Sequence, residues 1–296
     1  MCDLYEIENR KLVNTLERKN TFITAHINSK YRDDYYNTSA SNYIYNLPKT
    51  FNNVKSITLT SISIPNTWYI FSEELFSNYF YIKIHNDIHK IIIPEGNYNF
   101  CELEKLLNEK YFHKSNSIGD LKHIIFSIDE FSLKSSFKLS PKCKTKFHFS
   151  VIFIDDKIDQ LIFSAGWTLG FRYAEYINIQ DKVESEGLFD GGGDRYLYLS
   201  LNDFNKNSAN NNIILLQKSI ILEDIIAKIY LHDGKFAINI DTNDDGCCSF
   251  TKTRRYFGPI NLQKIKIKLL DQYGRQINLN NMDYSFSLEI EQKYNS

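Results

Sequence analysis

The sequence predicts an all-β protein of 296 residues, an antiparallel jelly roll (β-sandwich) with long inter-strand insertions and one or two short helices. Three observations predict this class. Short segments in which apolar and polar residues alternate recur along most of the chain, separated by Asn, Ser, Asp or Pro, and only one segment has a convincing helical pattern. The aromatic share of 15%, with 21 Phe and 20 Tyr, also suits pleated strands, on which flat rings pack well.

The domain organisation follows from the spacing of these segments. Residues 1–20 are predicted as an N-terminal arm, because their few apolar residues lie among charges without a strand pattern. A single jelly-roll domain is predicted over residues 21–296. Roughly twelve strands exceed the eight or so of a minimal roll, so we predict an insertion at about residues 173–258 in preference to a second independent domain.

Residues 56–69, SITLTSISIPNTWY, contain a shift in the strand pattern. Ile57 and Leu59 fall on one face under strict alternation, whereas Ile62 and Ile64 fall on the opposite face. A β-bulge that re-aims the apolar side would explain the shift. A corner, at which the strand passes from one sheet of a sandwich to the other, explains it equally well.

The convincing helix is predicted at residues 99–112, NFCELEKLLNEKYF. Its apolar face consists of Phe100, Leu103, Leu107 and Tyr111. Asn99 can cap the first turn, and Glu102 at the third helical position completes a capping box. We therefore expect one short helix to connect two groups of strands.

Strand patterning resumes after this helix. One core strand is predicted from the alternating residues Phe147, Phe149, Val151 and Phe153. A loop-rich interval follows at about residues 173–194 and ends in three glycines. The last two strands, at residues 262–270 and 283–292, are predicted to form a closing hairpin or meander, because the turn residues Tyr273-Gly274 and Asn280-Asn281 lie between them.

Composition excludes several classes of function. The formal net charge of −1 provides no general attraction to nucleic acid or to an anionic membrane, so we expect neither specific nucleic-acid binding nor membrane insertion. No apolar stretch approaches the roughly 20 residues that cross a bilayer, and the N-terminal residues do not resemble a signal peptide. The 5 cysteines lack a C-x-x-C spacing, which predicts reduced thiols in an intracellular compartment.

Two segments imitate metal sites. Residues 241–246, DTNDDG, resemble the start of an EF-hand loop, but Lys252 occupies the position that requires a bidentate Glu, which favours an acidic turn. His85 and His89 have the spacing of two ligands on a helix, yet their segment has a strand–turn–strand pattern with the turn at Asn86-Asp87. We predict no metal and no cofactor.

Catalytic signatures are also missing from the sequence. It contains no G-x-S-x-G, S-x-x-K or Cys-His signature and no phosphate-binding glycine loop. The carboxylates of Glu73-Glu74 and Asp155-Asp156 are adjacent and would point apart on a strand. The sequence therefore predicts a protein that is not an enzyme.

Two basic clusters are interpreted as solvated loops or as contacts to acidic neighbours, in preference to phosphate-binding sites. The first consists of Lys138, Lys142, Lys144 and Lys146, and the second of Lys252, Arg254 and Arg255.

Four segments taken in order resemble a known family. NVKSITLTSISIPNTWY, IIIPEGNYNFCELEKLLN, FSAGWTLGFR and IKLLDQYGRQINLNNMDYSFSLEIE are together similar to the penton and minor capsid proteins of large double-stranded DNA viruses and their virophage-like and Polinton-like relatives. The resemblance implies a jelly-roll subunit of an icosahedral capsid, without catalytic residues. It further implies a penton that self-associates as a homopentamer at the five-fold vertex, contacts the major capsid protein and other minor capsid proteins, and is assembled into virions in the host cytoplasm.

Two alternatives stay open beside the penton: another minor capsid or cement protein, and a β-sandwich module for host attachment or glycan binding. Five residues are the interface candidates. Trp68 and Tyr69 are large amphipathic rings that follow the strand-ending Pro65, although core packing explains either ring equally well. In SAGWTLGFR we expect a tight turn that places Trp167 in the core, followed by Phe171, with Arg172 free to pair across a subunit boundary.

Overall fold

The computed structural model describes residues 20–112, 119–143, 147–205, 213–215, 220–222, 224–231, 239–242 and 253–293. The chain forms two compact units. We call residues 69–193 the inserted unit, and the described residues of 1–68 and 194–296 the discontinuous unit. This division differs from the predicted single domain with an insertion at about 173–258. The predicted arm at residues 1–20 lies outside the described residues, apart from Asn20, which begins the first strand.

The discontinuous unit is made of antiparallel strands. Its strands are β1 (Asn20–Asn28), β2 (Asn42–Pro65), β10 (Tyr196–Asn202), β11 (Ile213–Leu215), β12 (Ile220–Leu222), β13 (Ile225–Tyr230), β14 (Asn239–Thr242), β15 (Thr253–Leu270) and β16 (Ser285–Lys293), and one 3-10 turn lies at Ser29–Tyr31. The main sheet has the order β1-β16-β2-β15-β10-β13, with β14 also paired to β2, while β11 and β12 pair with each other.

The two long strands β2 and β15 give this sheet its shape. The first residues of β2, from Asn42, pair with the last part of β15, whereas its later residues pair with β16. Ile27 of β1 and Ile229 of β13 lie at opposite ends of the strand order, yet both belong to one hydrophobic core. The sheet therefore bends around a shared core, as the strands of a sandwich do.

A β-bulge accounts for the shifted pattern in β2. Leu59 pairs with Leu288 and Ser61 pairs with Ser287, so that Thr60 is an extra residue in the ladder. As a result Ile57, Leu59, Ile62 and Ile64 are all buried. Because the strand pairs with β16 on both sides of the bulge, the bulge interpretation is correct and the corner is not required here.

The inserted unit contains two smaller antiparallel sheets and the main helix. Its elements are β3 (Tyr79–Ile84), β4 (Asp87–Ile92), α1 (Phe100–Lys110), a 3-10 turn (Gly119–His123), β5 (Ile124–Ile128), β6 (Ser135–Leu139), β7 (Phe149–Ile152), a 3-10 turn (Leu161–Phe163), α2 (Ala165–Thr168), β8 (Glu175–Ile179) and β9 (Lys182–Glu184). The sheet orders are β4-β3-β7-β8 and β5-β6-β9, and the two sheets enclose a second core. The predicted core residues Phe147, Phe149, Val151 and Phe153 are all buried in it.

Helix α1 begins at the predicted capping box. The Asn99 side chain accepts a hydrogen bond from the Glu102 backbone N–H at 2.9 Å, and the Glu102 carboxylate accepts one from the Asn99 backbone N–H at 3.1 Å. The helix packs beside β5, where the Asn108 side chain donates to the Phe126 carbonyl at 2.7 Å and accepts from its N–H at 3.0 Å. Tyr111 ends the helix, and its hydroxyl accepts a hydrogen bond from the Ile92 N–H and donates one to the Ile92 carbonyl.

Two further expectations differ from the structure. Strands β15 and β16 do not pair with each other, because both pair with β2, which lies between them. The interval predicted as loop-rich contains β8 and β9. Among the described residues, no helix is both long and apolar enough to cross a membrane.

Candidate functional site

Trp68 and Tyr69 follow the end of β2 and differ in exposure. Trp68 is 4% exposed, packs into the core of the discontinuous unit, and donates its indole N–H to the Asp194 carboxylate at 3.0 Å. Nearby, Thr67 donates its hydroxyl to the Leu279 carbonyl at 2.7 Å, which fixes the end of the strand. Tyr69 is 38% exposed, so its ring retains surface for a partner whereas Trp68 is a packing residue.

The GWTLGFR segment forms a compact turn that requires its glycines. A Cβ at Gly166 would overlap the Phe153 ring. Gly170 has φ +93, and a Cβ there would lie 2.5 Å from the Gly187 carbonyl oxygen. The Gly187 N–H donates to the Gly170 carbonyl at 2.8 Å, so two backbone segments touch at this point.

The turn buries Phe171 and leaves Trp167 partly exposed, which reverses the expected placement. Phe171 is 0% exposed and stacks on Phe153 at a ring-centroid distance of 4.9 Å. Arg172 lies over the outer face of Trp167, 3.9 Å from the ring centroid, and its Nη1 donates to the carbonyls of Trp167 and Phe171, each at 3.0 Å. The guanidinium of Arg172 is therefore engaged within the turn, whereas the sequence analysis predicts that it is free to pair with a partner.

A carboxylate next to this turn holds the backbone of Arg172. Glu186 accepts hydrogen bonds from the Arg172 N–H at 3.0 Å and from the Tyr176 hydroxyl at 2.5 Å. Burial, followed by this hydrogen bond, raises the pKa of Tyr176 to about 12. The phenol stays a neutral donor, so the cluster positions the turn and provides no activated nucleophile.

Two phenols share one carboxylate at the end of the four-stranded sheet. Asp155 accepts hydrogen bonds from Tyr79 and from Tyr81, each at 2.9 Å, and Lys90 lies over the Tyr79 ring. Burial opposes ionisation of Asp155, but the hydrogen bonds from Tyr81, the Lys157 N–H and Tyr79 outweigh it and lower its pKa. Burial raises the pKa of both phenols. The group is a hydrogen-bonded support without an acid/base pair.

Arg254 was assigned to a solvated basic cluster, but it is a buried residue of the discontinuous unit. Its Nη1 lies 3.2 Å from the Asp203 carboxylate and donates to the Leu201 carbonyl at 2.6 Å, and both side chains of the ion pair are 2% exposed. Its Nη2 lies 3.8 Å from Asp224. Tyr256 donates its hydroxyl to Asp203, and burial followed by the Asp203 charge raises the pKa of Tyr256. The cluster fixes the end of β10 against β15.

The remaining candidates add no chemistry. His85 has φ 52 at the β3–β4 turn and lies 3.9 Å from Asp120, while His89 is on β4. Within the described ranges, no group of three His, Cys, Asp or Glu side chains could hold a metal ion. Four parts of the predicted motifs lie outside the described residues: Cys2, residues 243–248, Lys144 with Lys146, and Lys252.

Exposed apolar side chains are the feature that sequence analysis missed. Those more than half exposed are Phe22, Tyr31, Tyr36, Ile88, Phe131, Tyr173, Ile177, Leu188 and Phe257. Tyr36 and Phe131 are each 94% exposed. Strand alternation could have indicated Phe22, Ile88 and Ile177, but the aromatic residues in turns carry no periodic signal.

Comparison with solved structures finds similar chains among viral proteins. The mavirus penton protein is 10% identical, with a TM-score of 0.46 over 93% of this chain and 99% of that chain. A chain from the structure of the Sputnik virophage is 13% identical, with a TM-score of 0.42 over 94% of this chain and 99% of that one.

No protein-family description matches the sequence, and no curated protein matches it either.

Proposed function

We propose that this chain is a structural, non-catalytic subunit of an icosahedral virus capsid, and that it forms the penton as a homopentamer. The observation that carries the proposal is the set of large apolar side chains that the two packed cores leave in solvent. Aromatic side chains are enriched on surfaces that another protein covers, and they supply much of the binding energy there.

Phe131 illustrates why these rings suit assembly. It occupies the β5–β6 turn, where the Asp129 carboxylate accepts the N–H groups of Phe131 at 3.2 Å and Ser132 at 2.7 Å. The Asp129 N–H in turn donates to the Lys134 carbonyl at 2.9 Å. The turn is held before any partner arrives, so binding through Phe131 loses little conformational entropy.

The segments that resemble capsid proteins occupy defined positions in both units. The first is the bulged strand β2 with Trp68, and the last is the connection from β15 to β16, which places both strands beside β2. The second and third are the capped helix α1 and the glycine turn before Arg172. These segments therefore form the framework of each unit. This supports the proposal that the chain shares its architecture with the capsid proteins that the four segments resemble.

The closed ring of a pentamer determines which surfaces of the subunit must contact each other. Every contact in a cyclic pentamer is heterologous, so one surface of the subunit complements a different surface of its neighbour. The outer rim of such a ring would contact the major capsid protein and other minor capsid proteins, in virions assembled in the host cytoplasm. Tyr69 and the ring of Trp167 remain candidates for these contacts, because they keep exposed surface.

A second candidate function, attachment to a host glycan, is favoured by one feature. Phe131 borders a polar depression of about 580 Å³ that is lined by Ser127, Ser136, Lys182 and Glu184 among others. An exposed ring beside hydroxyl, ammonium and carboxylate groups is an arrangement that a sugar could occupy.

The mass of the purified protein distinguishes these functions. Native mass spectrometry over a concentration series is expected to show a five-fold multiple of the 34.8 kDa subunit. A monomer at every concentration contradicts the homopentamer. Binding of that monomer to the major capsid protein would then assign a cement role, and binding to a glycan panel would assign attachment.

Paired substitutions on one turn test the role of Phe131. If the ring anchors the pentamer, Phe131→Ser weakens assembly at least tenfold, while Glu130→Ser on the same exposed turn leaves it unchanged. A pentamer that survives Phe131→Ser but loses glycan binding would assign the ring to attachment.

A further inference from the structure

The outward face of the bent sheet in the discontinuous unit carries a row of lysines. Along β15, Ile265, Ile267 and Leu269 point into the core and are 0% exposed. The residues between them, Lys264, Lys266 and Lys268, therefore point outward under strand alternation. Lys264 is exposed and the other two are half-buried.

The strand register extends this row into a patch. Lys266 pairs with Asn202 of β10 and with Ile44 of β2, and Lys268 pairs with Ser200 and Asn42. Lys228 of β13 pairs with Tyr198 of β10, which itself pairs with Leu270, so Lys228 shares the same face. The four lysines and their paired partners on β2, β10 and β13 are named here the lysine face.

The lysine face has an excess of positive charge. Among the described residues, no carboxylate lies within salt-bridge distance of Lys228, Lys264, Lys266 or Lys268. Lys228 lies 3.7 Å from the Tyr196 ring centroid, and Lys264 lies 4.6 Å from the Phe204 ring centroid. Two acidic side chains are held by asparagines of the face: Asp33 accepts a hydrogen bond from Asn46 at 2.6 Å, and Asp224 accepts one from Asn202 at 2.6 Å.

We propose that the lysine face binds the phosphate backbone of double-stranded DNA without reading its sequence. Alternate residues of a strand lie about 6.7 Å apart, so the row from Lys264 to Lys268 spans about 13 Å. A duplex carries about eight phosphate charges over that length, enough for each ammonium group to find a phosphate. The Asn42 amide donates one N–H to Gln276 and the Asn202 amide donates one to Asp224, so each has a second, uncharged N–H to offer on the same surface.

Duplex DNA fits this face better than an acidic protein or a lipid surface. Lysine is depleted at protein interfaces, and the residues paired in register with Lys228, Lys264, Lys266 and Lys268 include no exposed aromatic side chain, since Tyr198 is 4% exposed. Ile44, at 43% exposed, is the exposed apolar residue among these paired partners, which is little for insertion among lipid headgroups. A flat row of ammonium groups instead matches a linear polyanion.

The test measures binding of the full chain to a fluorescent duplex at several salt concentrations. Four phosphate contacts predict a slope of about −3.6 in log K against log salt, which is a loss of about 150-fold between 50 and 200 mM. Replacing Lys264, Lys266 and Lys268 with Gln should reduce the slope to about −0.9. Lys→Arg at the same positions should retain the wild-type slope.

The control removes the same charge from the inserted unit. Lys83, Lys105 and Lys122 are exposed, and their replacement with Gln should leave the slope unchanged. Equal slopes for the two Gln triples, or no duplex binding by the wild-type chain, would overturn the proposal. Binding to polyglutamate or to vesicles of anionic lipid without binding to the duplex overturns it as well. The proposal does not depend on the pentamer, whose mass is measured separately.

Discussion

Gly170 and Gly187 show how single residues hold the inserted unit together. Their backbones touch, and Gly170 adopts a positive φ that side chains with a Cβ disfavour. Gly170→Ala should lower the free energy of unfolding of this unit by about 2 kcal/mol, because a strained backbone is combined with overlap at the Gly187 carbonyl. Urea unfolding followed by Trp167 fluorescence measures the loss in a Trp68→Phe background.

The matched control for this change is Gly192→Ala. Gly192 lies in the triple-glycine loop without a positive φ, and a Cβ there meets only the Asp190 side chain at 3.3 Å. Its replacement should change the stability by less than about 0.5 kcal/mol. A similar loss at both positions would show that the close contact between Gly170 and Gly187 is not what matters.

Tyr256 makes the discontinuous unit sensitive to alkaline pH. Its pKa is raised in the folded state, first by burial and then by Asp203, whereas the unfolded phenol titrates near pH 10. Its contribution is fully present below that pH and is lost as the pH rises towards the folded pKa. Above pH 10 the free energy of unfolding should therefore fall, by up to about 1.4 kcal/mol per pH unit from this group.

Tyr256→Phe should reduce the decrease in the free energy of unfolding above pH 10, by up to about 1.4 kcal/mol per pH unit. The slope is measured by urea unfolding at several pH values from about 9 to 11, with Trp68 as the reporter in a Trp167→Phe background. The pKa values of the buried Tyr43, Tyr198 and Tyr284 are raised as well, so in the Tyr256→Phe variant these tyrosines still make the free energy of unfolding decrease with pH. Tyr36→Phe, at a 94% exposed ring, is the control, and an unchanged slope in both variants would contradict the prediction.

Sequence analysis could not identify the buried role of Arg254. Its partners, Asp203 and the Leu201 carbonyl, are more than fifty residues away in the chain, and the neighbouring Lys252 and Arg255 suggested a solvated cluster. Arg172 was expected to be free as well, although the Trp167 ring and the carbonyls of Trp167 and Phe171 that it contacts lie within five residues of it. A local pattern carries no information about a carbonyl or a ring that folding brings to the guanidinium.

At the scale of elements, the bulge in β2 keeps one apolar face buried along a long strand. Deleting Thr60 leaves the order Ile-Thr-Leu-Ser-Ile-Ser-Ile, which alternates without interruption. The deletion variant should therefore fold, at a cost of about 1–2 kcal/mol from the lost bulge geometry. Circular dichroism and a thermal unfolding curve test this expectation.

Deletion of Thr58 is the control for the bulge. It places Ile57 next to Leu59 in a regular part of the ladder, so one of them must turn away from the core. This variant should unfold or become insoluble. If both deletions behave alike, Thr60 is not an extra residue in the ladder.

The elements that sequence analysis predicted correctly are those with local signals. The capping box at Asn99 and Glu102 defined the start of α1, and the alternation before Pro65 located the shift in β2, although it left a bulge and a corner equally open. The pairing of β15 and β16 was wrong, because the connection over residues 271–284 is long enough to pass β2, and turn chemistry at Gly274 and Asn280 does not define what the following strand pairs with.

At the scale of the whole molecule, the chain enters and leaves the inserted unit at neighbouring points. Trp68 and Asp194 flank residues 69–193, and their side chains are joined by a hydrogen bond of 3.0 Å. Short separation of the ends is what allows one domain to be inserted into another.

Residues 69–193 should fold when produced alone. They contain their own core and two sheets, so the fragment is expected to show cooperative thermal unfolding and dispersed amide resonances. The complementary variant joins Trp68 to Asp194 through a short Gly-Ser linker and should retain β-sheet circular dichroism. An unfolded fragment would contradict the division of the chain.

This boundary was not accessible from the sequence. Alternating strands and abundant aromatic residues continue through both units, so composition does not change at Tyr69 or at Gly193. The excess of strands was interpreted as an insertion at about residues 173–258, whereas the compact unit spans residues 69–193. Its position depends on which strands share a core, which is a long-range property.

The hydroxyl of Tyr111 has a consequence for the open edge of a sheet. It engages both backbone groups of Ile92 on the outer edge of β4, which among the described strands pairs with β3 alone. An open strand edge is a template onto which other chains can polymerise in amyloid-like fashion. One phenol at the end of a helix thus occupies backbone groups of this edge that an added strand would need for its own hydrogen bonds.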